Sequence, residues 1–389
     1  MIDRRLLGVA VSAALLIAAC GGTGGSPAPS MVTSVGDGEG ALIVLAWPTY
    51  VEQGKNNVGD WMTEWETQTG CKTTVEVFGT SDEAFAKWTA DLTRYDVISA
   101  SGDAGPRLVR GGHVQPVNTA LVPSYAEIFP GLKEKSWNTF DGVHYGIPHG
   151  RGANLLMWRS ADVTPAPTKW AEMFDPTGPY AGKYSVYDAA IYIADAAVVL
   201  TKSNPELGIT NPYALDDTQF AAAVDLLKKQ KPAVGQYWNN YNDQITAYTN
   251  GDTILGTGWQ TIANYLNSVD VKVETIKPEE GATGWSDTWM INSKAQHPNC
   301  AYKFVDHITS APINAQIAET FGEAPGNSKS CALTTNPDHC VIFHAEDEAW
   351  WEDVYYWATP EETCLDGRTG VKCKGFADWI KAWTEVRSQ

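Results

Sequence analysis

The chain has 389 residues, 43% of them hydrophobic and only 19% charged, so it holds enough apolar material for two or three folded domains and is not a disordered polymer. Asp and Glu number 46 against 28 Lys and Arg, a net charge of -18 with a pI near 4.7, which argues against nucleic acid or anionic lipid as the main partner and favours cationic small molecules. The 16 Trp offer flat faces to sugars or to cations, and composition does not choose between them.

Arg4 and Arg5 precede an apolar run from Leu6 to Ile17, too short for a bilayer span of about 20 residues and followed by small residues and a cysteine. This predicts an export signal. Leu16-Ile17-Ala18-Ala19-Cys20 resembles a bacterial lipobox, in which the cysteine receives a diacylglyceryl group and becomes the N-terminus after cleavage. Residues 1–19 are therefore expected to be a lipoprotein signal peptide with Cys20 as the lipidation site. Because Asp3, Arg4 and Arg5 depart with it, the net charge moves from -18 to -19. Residues 20–40, mostly Gly, Ser, Pro and Thr, read as a flexible tether, so the body is expected outside the cytoplasm, anchored to the bacterial cell membrane by lipid. The Gly36-Asp37-Gly38-Glu39-Gly40 run follows no strand and opens no helix, so it is not a dinucleotide loop.

Ala41 to Ala46 is a continuous apolar run, as in a strand buried on both faces, and Trp47-Pro48-Thr49-Tyr50 stops it. Val58 to Thr69 carries Trp61, Met62 and Trp65 at helical spacing, Thr73 to Phe78 alternates like a strand, Ala84 to Leu92 is helical, and Asp96 to Ser99 is a short buried strand before Ser101-Gly102-Asp103. This alternation predicts a mainly parallel α/β sheet, whose ligands collect at the carboxyl ends of strands. A second α/β pattern follows: strand Tyr184 to Tyr187, helices Ala189 to Leu200 and Thr218 to Lys229, strands near Thr253 to Thr257 and Val271 to Thr275. Trp289 to Ile291 and the helical stretches Cys300 to Thr309 and Ile313 to Thr320 close the pattern. Two such sheets imply two lobes with a cleft between them.

Setting Cys20 aside leaves Cys71, Cys300, Cys331, Cys340, Cys364 and Cys373, an even number that suggests three disulfides in an oxidising compartment. Cys331 with Cys340 and Cys364 with Cys373 are each nine apart in loop-like sequence, leaving Cys71 to meet Cys300. A metal reading of Asp338, His339, Cys340 and His344 lacks a paired thiolate spacing, and no metal or cofactor is expected.

From Ala41 to about Glu352 the sequence resembles the spermidine/putrescine-binding proteins of ABC importers, a bilobal class of extracytoplasmic solute receptors. The marks are Ala46-Trp47-Pro48-Thr49-Tyr50-Val51, Asp96-Val97-Ile98-Ser99-Ala100-Ser101, Tyr145-Gly146-Ile147-Pro148, Gly258-Trp259, Gly284-Trp285-Ser286-Asp287, and Ala318-Glu319-Thr320-Phe321-Gly322 with Pro325 and Asn327, in that order. The resemblance implies a periplasmic-binding-protein-like α/β fold with crossovers near Gly152 and Ser286. Lobe one would combine 41–151 with 286–330, and lobe two 152–285 with 331–389. Cys71 and Cys300 then share lobe one, which supports their pairing.

A protonated amine entering a cleft needs an anionic acceptor and favours aromatic walls. By the resemblance, Trp285 and Asp287 are the stacking residue and ammonium clamp, Trp47, Tyr50, Ser101 and Trp259 fall on further contact positions, and Asp188 matches another carboxylate, although it could equally cap the helix after it. The departures matter too. Thr49 and Ile191 stand where the family places acids, Asp103 and Glu323 where it places aromatics, and Arg151 where it has a neutral aromatic. Opposite Asp287, a guanidinium could hold a carboxylate, so the expected ligand is either a polyamine such as putrescine or an ω-amino acid such as 4-aminobutyrate; alternatively Arg151 is neutralised by Asp103 or another cleft acid and braces the hinge.

A carbohydrate receptor is a rival reading, served by the Trp platforms and the Asn239, Asn240, Asn242, Asp243 cluster. No G-x-S-x-G elbow, H-E-x-x-H helix or P-loop appears, and no enzyme activity is expected. The chain is expected to act as a monomer that captures ligand by hinge closure and delivers it to a membrane permease.

Overall fold

The computed structural model describes residues 31–55 and 58–388; the expected signal peptide, Cys20 and the first half of the tether lie outside the described residues. Ala41–Ala46 is apolar throughout because it lies inside a sheet, parallel to Lys72–Val77 on one side and Val97–Ala100 on the other. Thr288–Ile291 pairs antiparallel with Val97–Ala100, and Gly146–Pro148 completes the sheet beyond it. The second sheet runs Val234–Trp238, Tyr184–Tyr187, Leu255–Gly258, Leu155–Arg159, Val273–Ile276. Each sheet has its own core. Trp379, Trp383 and Val386 of the C-terminal helix Phe376–Ser388 pack into the second.

The chain leaves the first sheet at Gly146–Pro148, passes through Gly150–Ala153 and enters the second at Leu155–Arg159. It returns through Ala282–Trp285 to Thr288–Ile291. The two crossings lie side by side, Gly152 opposite Trp285 and Ala153 opposite Gly284, flanked by Ala324–Pro325 and Val354–Tyr356 in a small hinge sheet.

Several elements differ from the periodicity. The first helix starts only at Thr63, so Trp61 and Met62 are buried ahead of it in the loop. The helix expected from Ala189 begins as a 3-10 turn, Ala190–Tyr192, and becomes α-helical at Ile193–Ser203. The helix expected from Thr218 is Asp217–Gln230, opened by a capping box in which Asp216 and Gln219 satisfy each other's backbone N–H groups. Strand Val234–Trp238 and helices Tyr241–Asn250 and Gln260–Ser268 were not expected. The asparagine cluster has a local use: Asn240 caps Tyr241–Asn250 by accepting from the Asn242 N–H at 2.9 Å.

The disulfides are Cys71–Cys300, Cys331–Cys340 and Cys364–Cys373, as the spacing suggested. Cys340 is therefore no thiolate ligand, His339 Nε2 sits 2.9 Å from the Glu323 carbonyl, and no cluster able to hold a metal occurs among the described residues.

Candidate ligand-binding cleft

The cleft begins where the first strand ends. The Trp47 N–H donates to Ser99 Oγ at 3.0 Å, and its indole Nε1 to Ser101 Oγ at 3.2 Å. Ser101, just past Val97–Ala100, donates to Asp287 Oδ1. A tight turn through Thr49, held in the left-handed region at φ 67°, brings Tyr50 beneath Trp47, and the Tyr50 hydroxyl donates to Asp287 Oδ2 at 2.8 Å. A β-branched residue in that conformation is uncommon and costs of order 1 kcal/mol or more, which the surrounding packing must offset. Asp287 itself stands on the return crossing, between Ala282–Trp285 and Thr288–Ile291.

Aromatic rings from both bodies close over this carboxylate. Trp259, which follows strand Leu255–Gly258, lies 6.4 Å from Trp47 and 5.7 Å from Trp285 between ring centroids. Tyr187 stacks on Trp357 at 5.9 Å and reaches Trp259 at 5.8 Å, while Phe321 abuts Tyr50 at 4.8 Å. Trp47, Ser101, Trp259, Trp285, Asp287, Phe321 and Trp357 leave only about 10 Å³ of open space between them, because rings of opposite bodies already touch. A wider groove lined by Phe78, Thr80, Asn239, Asn240 and Tyr241 opens from one side of it.

The electrostatics are unusual for a protein interior. Asp287, Glu323 and Asp103 are at most 3% exposed, and among the described residues no Lys or Arg lies within ion-pair distance of any of them. Burial raises the Asp287 carboxyl from 3.8 to about 6, held back by the bonds from Ser101 and Tyr50. Burial, then the Asp287 charge, push Glu323 up to about 8. Asp103 rises to about 7 through burial, against a hydrogen bond from Ser81. Asp287 and Glu323 are thus buried acids without a cationic partner, set against indole rings, a combination that attracts positive charge.

One wall is tied to the hinge. Trp259 Nε1 donates to Asn154 Oδ1 at 2.9 Å, Asn154 Nδ2 to Thr283 Oγ1 at 2.7 Å, and Thr283 to the buried Asp195 at 2.9 Å. Each donor meets one acceptor, so the indole is locked to both crossings and to helix Ile193–Ser203.

Seven of the residues singled out in the sequence come together here: Trp47, Tyr50, Ser101, Trp259, Trp285, Asp287 and Glu323. Three stand apart from this network: the ligand-contact role expected of each is corrected, and Arg151 takes the hinge-bracing role given as its alternative, with Glu348 as the acid. The Arg151 guanidinium turns away from Asp287; it pairs with Glu348 at 2.6 Å, donates to the Ala345 carbonyl and stacks on Trp351, because the C-terminal segment folds back over the hinge. Asp188 is neither clamp nor helix cap, since its carboxylate accepts from Arg387 and Trp383 of the C-terminal helix. Asp103 points to Ser81, and its carbonyl accepts from Thr359, one step behind the aromatic wall. The sequence reading missed Tyr187, His149 and Asn154 and placed Trp357 in tail packing. Tyr187 ends a strand, the position where ligands collect, and that signal could have found it.

Two α/β bodies joined by paired crossings, with a buried acidic and aromatic cleft at the carboxyl ends of their strands, define a bilobal solute receptor. The family described as bacterial extracellular solute-binding protein matches residues 60–339, and the chain belongs to it. The spermidine/putrescine-binding periplasmic protein of Escherichia coli K12 is 24% identical over 341 residues, 85% of this chain and 92% of that protein. The putrescine/cadaverine-binding protein of Pseudomonas aeruginosa is 22% identical over 301 residues, 74% of this chain and 79% of its own. Among solved structures, the spermidine/putrescine ABC transporter substrate-binding protein of Streptococcus pneumoniae superposes with a TM-score of 0.68 at 16% identity, covering 89% of this chain and 99% of that one. A GABA receptor superposes with a TM-score of 0.61 at 17% identity, covering 81% and 90%. The protein is thus a substrate-binding protein of an ABC transporter, extracytoplasmic by family, and its relatives are solute binders, not enzymes.

Proposed function

We propose that the protein is a lipid-anchored receptor that captures a small polyamine such as putrescine or spermidine between its two bodies and presents it to a membrane permease. The observation that carries this reading is Asp287, 2% exposed, faced by no cation among the described residues and walled by Trp47, Trp259, Trp285 and Trp357. Two or three cation–π contacts of about 0.5–2 kcal/mol each, with one desolvated carboxylate, are enough for micromolar binding, about -8 kcal/mol. The names of the curated relatives support an amine. The 4-aminobutyrate reading needed Arg151 opposite Asp287, and Glu348 holds that guanidinium elsewhere.

Trp47, Tyr50 and Ser101 belong to one body and Tyr187 and Trp259 to the other, so a ligand touching both favours closure about the crossings. In this reading lobe one is 41–151 with 286–330 and lobe two is 152–285 with 331–389, the monomer is the working unit, and Cys20 carries the anchor. Thermal-shift and calorimetric titration of the purified protein with putrescine, spermidine, 4-aminobutyrate and maltose tests the ligand class, since a ligand of the folded state raises its apparent stability. Stabilisation by the polyamines is expected; stabilisation by the sugar alone refutes the proposal. Cys20→Ala is expected to shift the protein from the membrane to the soluble fraction.

A further inference from the structure

Tyr50 Oη lies 2.8 Å from Asp287 Oδ2 and 3.0 Å from Glu323 Oε2, yet a phenol has one hydrogen. One carboxyl group accepts it. The other must bring its own hydrogen, or two oxygen lone pairs would face each other in a dry interior. Asp287 has donors at both oxygens, Ser101 and Tyr50, as an ionised carboxylate requires. Glu323 Oε2 otherwise has only a long contact from Trp285 Nε1, 3.3 Å, and its Oε1 faces His149 Nε2 at 3.3 Å outside hydrogen-bond geometry.

His149 supplies no positive charge. Its Nδ1 accepts from Trp289 Nε1 at 2.9 Å and so carries no proton, and burial pushes the imidazole down to about 3. His339 meets only the Glu323 backbone carbonyl. We infer that Glu323 is a neutral carboxylic acid that donates to Tyr50, which donates to Asp287, so that this linked pair of acids presents one negative charge to one ammonium group. The elevated titration of Glu323 agrees. Glu323 is then a positioning residue, aligning the Tyr50 hydroxyl on the carboxylate that meets the amine; the inference rests on the amine reading.

Glutamine can donate to Tyr50 in the same way, which gives the test. Putrescine is titrated calorimetrically at pH 7, in two buffers of different ionisation heat, into the full chain, Glu323→Gln and Asp287→Asn. Glu323→Gln is expected to bind within about threefold of the wild type, while Asp287→Asn loses roughly a hundredfold or more. The wild type is expected to release fewer than about 0.2 protons per ligand, and to gain affinity above pH 8 as Glu323 ionises, a gain absent from Glu323→Gln. A loss in Glu323→Gln equal to that in Asp287→Asn, or a whole proton released by the wild type at pH 7, overturns the inference; the second measurement needs no variant. If putrescine fails to bind the wild type, the amine reading falls, and the proton state is read from infrared spectra. A carboxylic-acid C=O band lost in Glu323→Gln supports it, and unchanged spectra overturn it.

Discussion

Replacing Asp287 by Asn should raise the stability of the unliganded protein while destroying its function. The carboxylate is 2% exposed and titrates near 6 in the folded protein against an ordinary 3.8, so keeping it ionised at pH 7 costs the folded state about 3 kcal/mol. The sign follows from proton counting. Between pH 4 and 6 the folded state binds more protons than the unfolded one, so stability falls as pH rises through that window and stays reduced above it. Asparagine keeps the shape, its oxygen accepting from Ser101 and its NH2 donating to the Tyr50 oxygen, so the variant should gain up to about 3 kcal/mol at pH 7, a Tm rise of several degrees, and gain almost nothing at pH 4. Amine affinity should fall by about 3–5 kcal/mol, roughly a hundredfold to several thousandfold. Thermal unfolding at pH 4 and 7 with calorimetric titration of putrescine measures both effects. A variant less stable than wild type at pH 7, or one that binds putrescine normally, refutes the reasoning.

Arg151→Ala is expected to lower stability by about 1–3 kcal/mol through lost packing on Trp351 and an unpaired Ala345 carbonyl, Glu348 being exposed enough to rehydrate, yet to leave putrescine affinity within a few fold; a large affinity loss in titration would put the guanidinium back at the ligand. Gly152→Ala would place a Cβ 2.0 Å from Trp285 Cζ2, displacing that wall and weakening putrescine binding by about tenfold, the value of one cation–π contact. Unchanged affinity would show that Trp285 is not a wall of the ligand site. Burial raises Asp195 from 3.8 to about 7, so it should cost the folded state about 4 kcal/mol by neutrality, with stability falling as pH rises from about 4 to 7. Asp195→Asn should flatten that part of the Tm-against-pH curve, and an unaltered slope counts against the assignment.

Local signals made much of the fold readable. Six apolar residues in a row, Ala41–Ala46, stopped by Trp47-Pro48, fit a strand inside a sheet, and the nine-residue spacings of Cys331 with Cys340 and Cys364 with Cys373 named two disulfides. Strand Val234–Trp238 was hidden because Gly235 and Gln236 break both its alternation and its hydrophobicity, at a register shift on the edge of the sheet. At the cleft, residues adjoining the strand ends and crossings were legible because short motifs fix them. The role of Arg151 stayed open and that of Asp188 was misread for one reason: their partners, Glu348 and Arg387, lie almost 200 residues further on, and no periodicity reveals a contact at that separation. Trp357 was misread likewise, since only the pairing of Val354–Tyr356 with the return crossing carries it into the wall.

The order of strands in the first sheet constrains how the molecule can be made. Thr288–Ile291 lies inside that sheet, between Val97–Ala100 and Gly146–Pro148, whereas every strand of the second sheet falls within residues 155–276. A chain emerging N-terminus first can therefore complete the strands of its second sheet while its first still exposes two unpaired edges, awaiting an insertion some 140 residues away in sequence. Cys300 follows that insertion by nine residues and ties the helix after it to Cys71, beside the first strand pair. Closure of those edges and formation of the Cys71–Cys300 disulfide thus wait on the same late stretch of chain.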